Sequence, residues 1–183
     1  KMFGPTGTGV FYGKSELLGK LDTFMTGGET VLNSTYESYE FLPIPEKFEA
    51  GLQNYAGIIG LGEAVRYLSN FDFKDIESHE FELNSYITGE LEKISKIKII
   101  GPKDARERSG IINFYIDGMD MHKVAVMLDE MARIEVRSGR HCVHAWFNDK
   151  DILNSVRVSL ALYNTKEEVE MFINNLNKII KII

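Results

Sequence analysis

The sequence contains a single cysteine, Cys142, among 183 residues. A single thiol cannot form an intrachain disulfide, which excludes the small disulfide-stabilised class of secreted proteins and favours the reducing cytoplasm as the location. A lone cysteine is usually a small buried hydrophobic residue, and less often a reactive nucleophile. The choice between these two roles depends on the residues that flank Cys142 in the sequence.

Long hydrophobic runs and an excess of basic charge are also missing. No apolar run approaches the roughly 20 residues of a membrane-spanning helix, and residues 1–7 contain no apolar signal segment. The formal net charge of −6 provides no basic face, which argues against nucleic acid as a partner. We therefore expect no membrane, nucleic-acid or metal site. The chain starts at Lys1, with its first methionine in second place, which suggests a piece of a longer protein.

The first 70 residues contain many turn-forming residues and few regular elements. The pattern predicts a short buried strand at residues 10–12, one helical turn at 15–18, an irregular stretch at 26–46 and a helix at 55–68. A break follows at residues 70–72. We place a domain boundary there, because a long amphipathic helix begins directly after it.

Residues 71–183 alternate between helices and strands. Beyond the long helix, strands are predicted at 98–100, 111–116, 134–136 and 156–162, and a helix between the second and the third of them. Thr165 and Glu168 form a capping box for a last helix, whose apolar face runs from Val169 to Ile183. This order is typical of a small α/β domain with helices on one side of a sheet.

The segment around Cys142 combines the thiol with positive charge, and we expect it to form a loop. A thiol becomes a nucleophile when nearby cations stabilise its thiolate, and Arg140 and His141 are its neighbours in the sequence. Gly139 lets the chain turn tightly. These residues favour a reactive thiol, with a packing cysteine as the alternative.

Four separated segments, taken in order, resemble those of one enzyme family. They are residues 1–10 (KMFGPTGTGV), 48–51 (FEAG) with 60–64 (GLGEA), 137–142 (RSGRHC) and 157–168 (RVSLALYNTKEE). They resemble the class V aminotransferases, a branch of the fold-type I pyridoxal phosphate enzymes, and within that branch the SufS-like (group II) cysteine desulfurases. The resemblance extends over essentially the whole chain.

The resemblance implies an α/β fold in two parts. Residues 1–70 would be the end of the large domain that binds pyridoxal phosphate, with the cofactor lysine and an interface loop. Residues 71–183 would be the small C-terminal α/β domain with the catalytic cysteine loop. In this family the cofactor lysine lies near the middle of a chain of about twice this length, so an upstream half is expected. The present chain alone is expected to be inactive, and the family suggests a homodimer.

The resemblance also assigns a role to five residues. Lys1 would hold the cofactor and move the Cα proton, and Arg157 would bind the substrate carboxylate. Cys142 would attack the sulfur of the bound cysteine. His141 would stabilise the thiolate or pass a proton, or else only orient the turn. Gly51 would offer its backbone to the cofactor phosphate of the partner subunit.

The implied reaction converts L-cysteine to L-alanine and leaves a persulfide on Cys142. A sulfur-acceptor protein would then receive the sulfur for iron-sulfur cluster or other thio-cofactor assembly. Three alternatives stay open: a selenocysteine lyase, another class V aminotransferase or lyase in which Cys142 is incidental, and an isolated non-catalytic fragment. The sequence departs from the family pattern at Leu52, where threonine is usual, so one phosphate contact is in question.

Overall fold

The computed structural model describes residues 2–182, and the chain divides into two compact units between Asn70 and Phe71. Lys1 and Ile183, for which the sequence makes predictions, lie outside the described residues. No helix within the described part of the chain is long and apolar enough to cross a membrane.

The first unit contains two helices and one hairpin. Helix α1 covers Ser15–Leu18, strand β1 Val31–Ser34, strand β2 Tyr39–Phe41, a 3-10 turn Glu46–Phe48 and helix α2 Tyr55–Leu68. The predicted helix at 55–68 is confirmed. It begins at Asn54, whose side chain accepts a hydrogen bond from the Gly57 amide at 3.0 Å. Such a cap satisfies one of the amides that a helix start leaves without a partner.

Two predictions for the first unit are wrong. Residues 26–46 are not irregular throughout, because β1 and β2 pair as an antiparallel hairpin. Its turn is closed by the Thr35 amide, which donates to the Ser38 carbonyl at 2.8 Å. Most of its residues are exposed, so the hairpin has no alternating apolar pattern to reveal it. Residues 10–12 form no strand, since within the described chain they are exposed and pair with nothing in a sheet.

The second unit contains a four-stranded antiparallel sheet in the order β3-β4-β6-β5. Its helices are α3 Phe73–Leu91, α4 Met121–Ala132, α5 His144–Asp149 and α6 Lys166–Ile182. Its strands are β3 Ile97–Ile100, β4 Ile111–Ile116, β5 Arg137–Gly139 and β6 Ser155–Ser159, and a 3-10 turn covers Ala105–Glu107.

The core of the second unit lies between the sheet and helices α3, α4 and α6. Alternate residues of β4 and β6 are buried there, and the helices contribute one apolar face each. The fully or nearly buried members include Ile112, Phe114, Val156, Ile87, Leu128 and Leu176. Each such side chain contributes roughly 1.5–3 kcal/mol on burial. Because side chains alternate along a strand, the residues between them, such as Asn113 and Arg157, lie on the opposite face.

Helix α6 begins as the sequence predicts. The Thr165 hydroxyl accepts a hydrogen bond from the Glu168 amide at 3.2 Å, and the Glu168 carboxylate accepts one from the Thr165 amide at 2.9 Å. This reciprocal arrangement confirms the capping box. Two strand predictions are displaced. The third strand lies at Arg137–Gly139 instead of 134–136, and the fourth covers Ser155–Ser159 instead of 156–162.

Candidate active site

The register of the sheet places three polar side chains in one row on the face away from the helical core. Asn113 of β4 lies opposite Arg157 of β6, and Arg157 lies opposite Arg137 of β5. Paired residues of an antiparallel sheet point to the same face, with Cβ atoms about 4.5–5.5 Å apart. Two guanidinium groups therefore share one small area of the sheet.

The loop that carries Cys142 continues directly from β5. We predicted that residues 137–142 form a loop, but the first three belong to β5, and the loop itself begins at Arg140. Gly139 has φ of +126°, a value that a residue with a side chain rarely adopts. His141 and Cys142 follow with φ of +49° and +67°, in the left-handed region. Such backbone costs on the order of 1–3 kcal/mol per residue and persists only where the surroundings hold it.

Arg140 provides part of that support. Its Nε donates to the Leu153 carbonyl at 3.0 Å, and its Nη1 donates to the Asn148 side-chain oxygen at 2.7 Å. The Val143 amide closes the turn on the Arg140 carbonyl at 2.9 Å. These bonds hold the Arg140 guanidinium against α5 and the segment after it. Arg140 therefore braces the loop, although its place in the sequence had suggested that it supplies charge to the thiol.

The thiol of Cys142 is exposed and has Arg137 beside it. Arg137 Nη2 lies 3.9 Å from Cys142 Sγ, within the range of a weak hydrogen bond to sulfur. The exposed thiol contradicts the packing alternative, which requires a buried side chain. The contact places a positive charge beside the exposed sulfur.

His141 has a defined position in the second unit. Its Nε2 lies 3.0 Å from the hydroxyl of Ser155, which is fully buried, and its ring packs near that of Phe147. Burial first, and then the positive charges of Arg157 and Arg137, lower the pKa of His141. The imidazole is therefore neutral near pH 7 and can accept a proton.

The start of helix α4 anchors the strands beneath this loop. The Asn154 side chain donates to the Asp120 carboxylate at 2.7 Å and accepts from the Met121 amide at 2.8 Å. The hydrogen bond from Asn154, and then the one from the His122 amide, lower the pKa of Asp120. His122 in turn lies 2.9 Å from the Ser138 hydroxyl through its Nδ1. One helix end thus holds both β5 and the residue before Ser155.

Arg157 has the properties expected of an anion-binding side chain. It is half-buried, and its Nε is buried without a hydrogen-bond partner among residues 2–182. The ion pairs found in the described chain involve neither Arg157 nor Arg137. Both cations thus lack an ion-pair partner within residues 71–182. This arrangement fits a ligand that carries a carboxylate.

Sequence reasoning missed Ser155, Asn154 and Asn113. A signal for Ser155 was present, because it lies two residues before Arg157 in a strand and so shares its face. The partner strand of Asn113 could not be deduced in the same way, since register depends on the assembled sheet.

The first unit holds one predicted site residue that the structure describes. Gly51 has φ of +75°, and its amide donates to the Gly28 carbonyl at 2.8 Å. A side chain built at Gly51 would meet no atom within 4 Å, so the space beside it is open. A phosphate contact through this amide would replace the bond to Gly28. The role of Gly51 stays a prediction, as does that of Lys1, which lies outside the described residues.

Comparison with known proteins gives one consistent result. The family model for aminotransferase class V matches residues 1–172. The probable cysteine desulfurase of Xylella fastidiosa is 38% identical over 183 residues, which are 100% of this chain and 43% of that protein. The probable cysteine desulfurase 2 of Mycobacterium leprae is 36% identical over 173 residues, 94% of this chain and 41% of that protein.

Solved structures agree with the sequence relatives. The cysteine desulfurase of Thermococcus onnurineus superposes with a TM-score of 0.92 and 33% identity, over 100% of this chain and 45% of that one. The Escherichia coli cysteine desulfurase CsdA gives 0.90 and 30%, over 100% of this chain and 44% of that one. The chain spans less than half the length of the relatives it matches.

The fold and the neighbours define the class: this is part of a fold-type I pyridoxal phosphate-dependent enzyme fold. More narrowly, the chain belongs to the aminotransferase class V family, whose cofactor is pyridoxal phosphate. The two sequence relatives described above carry the names probable cysteine desulfurase and probable cysteine desulfurase 2.

Proposed function

We propose that the complete protein is a pyridoxal phosphate-dependent cysteine desulfurase of the SufS-like group. It converts L-cysteine to L-alanine and leaves the sulfur on Cys142 as a persulfide. The observation that carries this proposal is the placement of an exposed thiol beside Arg137, on a loop that leaves the same strand that pairs with Arg157. A nucleophile and a carboxylate-binding group are thus held by two neighbouring strands.

Arg157 binds the substrate carboxylate in this mechanism. A guanidinium and a carboxylate form a bidentate pair, which limits rotation of the amino acid and orients the bonds at Cα. The absence of a counter-ion for Arg157 among the described residues supports this role, because an acidic neighbour would compete with the substrate.

Cys142 then attacks the substrate sulfur as a thiolate. A new S–S bond forms, and the C–S bond of the substrate breaks with its electron pair on carbon. The carbon gains one proton and becomes the methyl group of alanine, and the Cys142 thiol has lost one, so atoms and charge balance. Pyridoxal phosphate, when bound, supplies the electron sink at the substrate Cα that makes the carbon a leaving group.

His141 and Lys1 move the protons. His141 passes the proton of the Cys142 thiol in this mechanism, and burial and two arginines, which lower its pKa, keep the resting imidazole neutral. Lys1 holds the cofactor and moves the Cα proton. Gly51 contributes backbone to the cofactor phosphate of the partner subunit in a homodimer. Residues 1–70 thereby belong to the large domain, and residues 71–183 form the small domain.

A sulfur-acceptor protein completes the reaction. The persulfide has to be reached from outside, and the exposure of Cys142 in the second unit supports transfer to a partner. We propose that the acceptor delivers sulfur to iron-sulfur cluster or other thio-cofactor assembly in the cytoplasm.

The decisive experiment maps the mass of the Cys142 peptide in the complete protein after brief exposure to L-cysteine, with thiols trapped by an alkylating reagent. We expect one extra sulfur on Cys142 and an equal amount of L-alanine. An unmodified Cys142, together with a keto acid product, would contradict the desulfurase proposal and favour another class V aminotransferase. A Cys142→Ser variant with selenocysteine as substrate distinguishes a selenocysteine lyase from a cysteine desulfurase. A selenocysteine lyase would retain its rate on selenocysteine in this variant.

A further inference from the structure

Two buried polar atoms without partners lie on directly paired residues of the sheet. They are the side-chain oxygen of Asn113, which can only accept a hydrogen bond, and Nε of Arg157, which can only donate one. Neither has a hydrogen-bond partner in the part of the chain that the structure describes. Buried polar atoms are nearly always satisfied in folded proteins, so this coincidence requires an explanation.

The two atoms complement each other in chemistry and in position. Asn113 and Arg157 form a cross-strand pair, which brings their Cβ atoms to about 4.5–5.5 Å on one face of the sheet. A rotation of the asparagine amide, or one bridging water, is enough to join an acceptor and a donor at such a separation. On its other side Arg157 has Arg137, which cannot accept a hydrogen bond.

We propose that Asn113 is a positioning residue for Arg157. Its side-chain oxygen accepts a hydrogen bond from Nε–H of Arg157, directly or through one water, and holds the guanidinium with its two terminal NH₂ groups turned to the substrate carboxylate. This inference rests on the proposed function, because it requires that Arg157 binds that carboxylate.

The neutral amide suits this role better than a carboxylate would. An aspartate at position 113 would form an ion pair with Arg157 and compete with the substrate for the same guanidinium. An amide oxygen accepts one hydrogen bond and leaves the positive charge available. Asn113 thus orients Arg157 without neutralising it, and it sets how tightly carboxylate substrates bind.

The test compares Asn113→Leu, which keeps the size of the side chain but removes the acceptor, with Asn113→Asp. In the complete holoenzyme we expect Asn113→Leu to raise KM for L-cysteine about tenfold, with kcat changed by about twofold or less. Asn113→Asp should raise KM further, because its charge occupies Arg157. Ile111→Ala, on the same face of β4, is the matched control and should change neither constant.

A second ligand separates positioning from general damage to the fold. Cysteamine carries the amine and the thiol of cysteine but no carboxylate, and its binding can be followed by the visible spectrum of the holoenzyme. We expect Asn113→Leu to weaken the binding of L-cysteine and to leave the binding of cysteamine unchanged. The inference would be overturned if the variant bound both ligands equally more weakly, or if it bound both as well as the unmodified protein does.

Arg157→Gln distinguishes failure of this inference from failure of the proposed function. If Arg157→Gln weakens the binding of L-cysteine and Asn113→Leu does not, only the role proposed for Asn113 is wrong. If Arg157→Gln has no effect either, Arg157 does not bind the carboxylate and the mechanism itself fails. In the Arg157→Gln background, Asn113→Leu should add nothing, because Asn113 acts through Arg157; an additive effect would contradict us.

Discussion

Arg137 and Arg157 lie directly opposite each other on the antiparallel strands β5 and β6. Like charges in this position destabilise a strand pair, and neither arginine has an ion-pair partner among residues 2–182. A site with two uncompensated cations is suited to anions. In the proposed mechanism these are a carboxylate at Arg157 and the thiolate of Cys142 at Arg137, which is why the two arginines have separate tasks.

Arg137→Gln should lower the reactivity of Cys142. Arg137 Nη2 lies 3.9 Å from Sγ, and the substitution removes the positive charge beside the sulfur. We expect alkylation of Cys142 by iodoacetamide at pH 7 to slow by about 3–10-fold, as measured by peptide mapping of the complete protein. Lys103→Gln, an exposed charge change elsewhere in the second unit, is the control and should leave the rate unchanged. An unaltered rate in Arg137→Gln would show that the thiol does not depend on this cation.

His141 should make the protein less stable in mildly acidic solution. Its pKa is lowered in the folded state, chiefly by burial, so the unfolded chain binds the proton more readily. The stabilising contribution of neutral His141 is then complete above the ordinary histidine pKa of about 6.5. It is lost as the pH falls through the lower pKa of the folded state. The melting temperature of His141→Asn should therefore decline less between pH 7 and 5 than that of the unmodified protein. Parallel curves for the two proteins would contradict the assigned cause.

Asp120→Ala should destabilise the second unit. Asp120 accepts hydrogen bonds at the start of α4 from the His122 amide and from Asn154, and loss of a helix cap destabilises the helix that it starts. The stabilisation belongs to the ionised carboxylate, whose pKa is lowered, so it is present above pH 4 or so and is lost in stronger acid. Thermal unfolding at pH 7 measures the loss. Asp129→Ala, which removes an exposed carboxylate from the same helix, should change stability by about 0.5 kcal/mol or less.

Arg140→Ala should loosen the loop around Cys142 without removing the cation at its sulfur. The variant loses the bonds to Leu153 and Asn148, while Arg137 stays in place. Hydrogen exchange of amides 140–143 should therefore accelerate at least severalfold. Asn148→Ala removes one of the two bonds and keeps the charge, so it should give an intermediate rate. Exchange equal to that of the unmodified protein in both variants would show that Arg140 does not brace the loop.

The local signals in the sequence were sufficient for helices α2, α3, α4 and α6 and for strands β3 and β4, whereas the short helix α5 was missed. Helix α2, strand β4 and the capping box of Thr165 and Glu168 were predicted with their residues, because apolar periodicity and cap chemistry are local properties. The β1–β2 hairpin was missed, since its exposed residues carry no apolar alternation. Strand β5 was displaced by three residues because pairing with β6, rather than hydrophobicity, decides where it begins.

The sequence by itself determined the family, the order of the elements in the second unit apart from helix α5, and the candidate residues Lys1, Gly51, His141, Cys142 and Arg157, because motifs and periodicity are written along the chain. Only the tertiary structure decided which side chains share a site. Strand register brings Arg137 and Asn113 to the two sides of Arg157, and the Arg140 guanidinium is bonded to Leu153 and Asn148. The physical reason is that hydrogen-bonded pairing between strands joins residues that are distant in sequence, and no local pattern encodes its register.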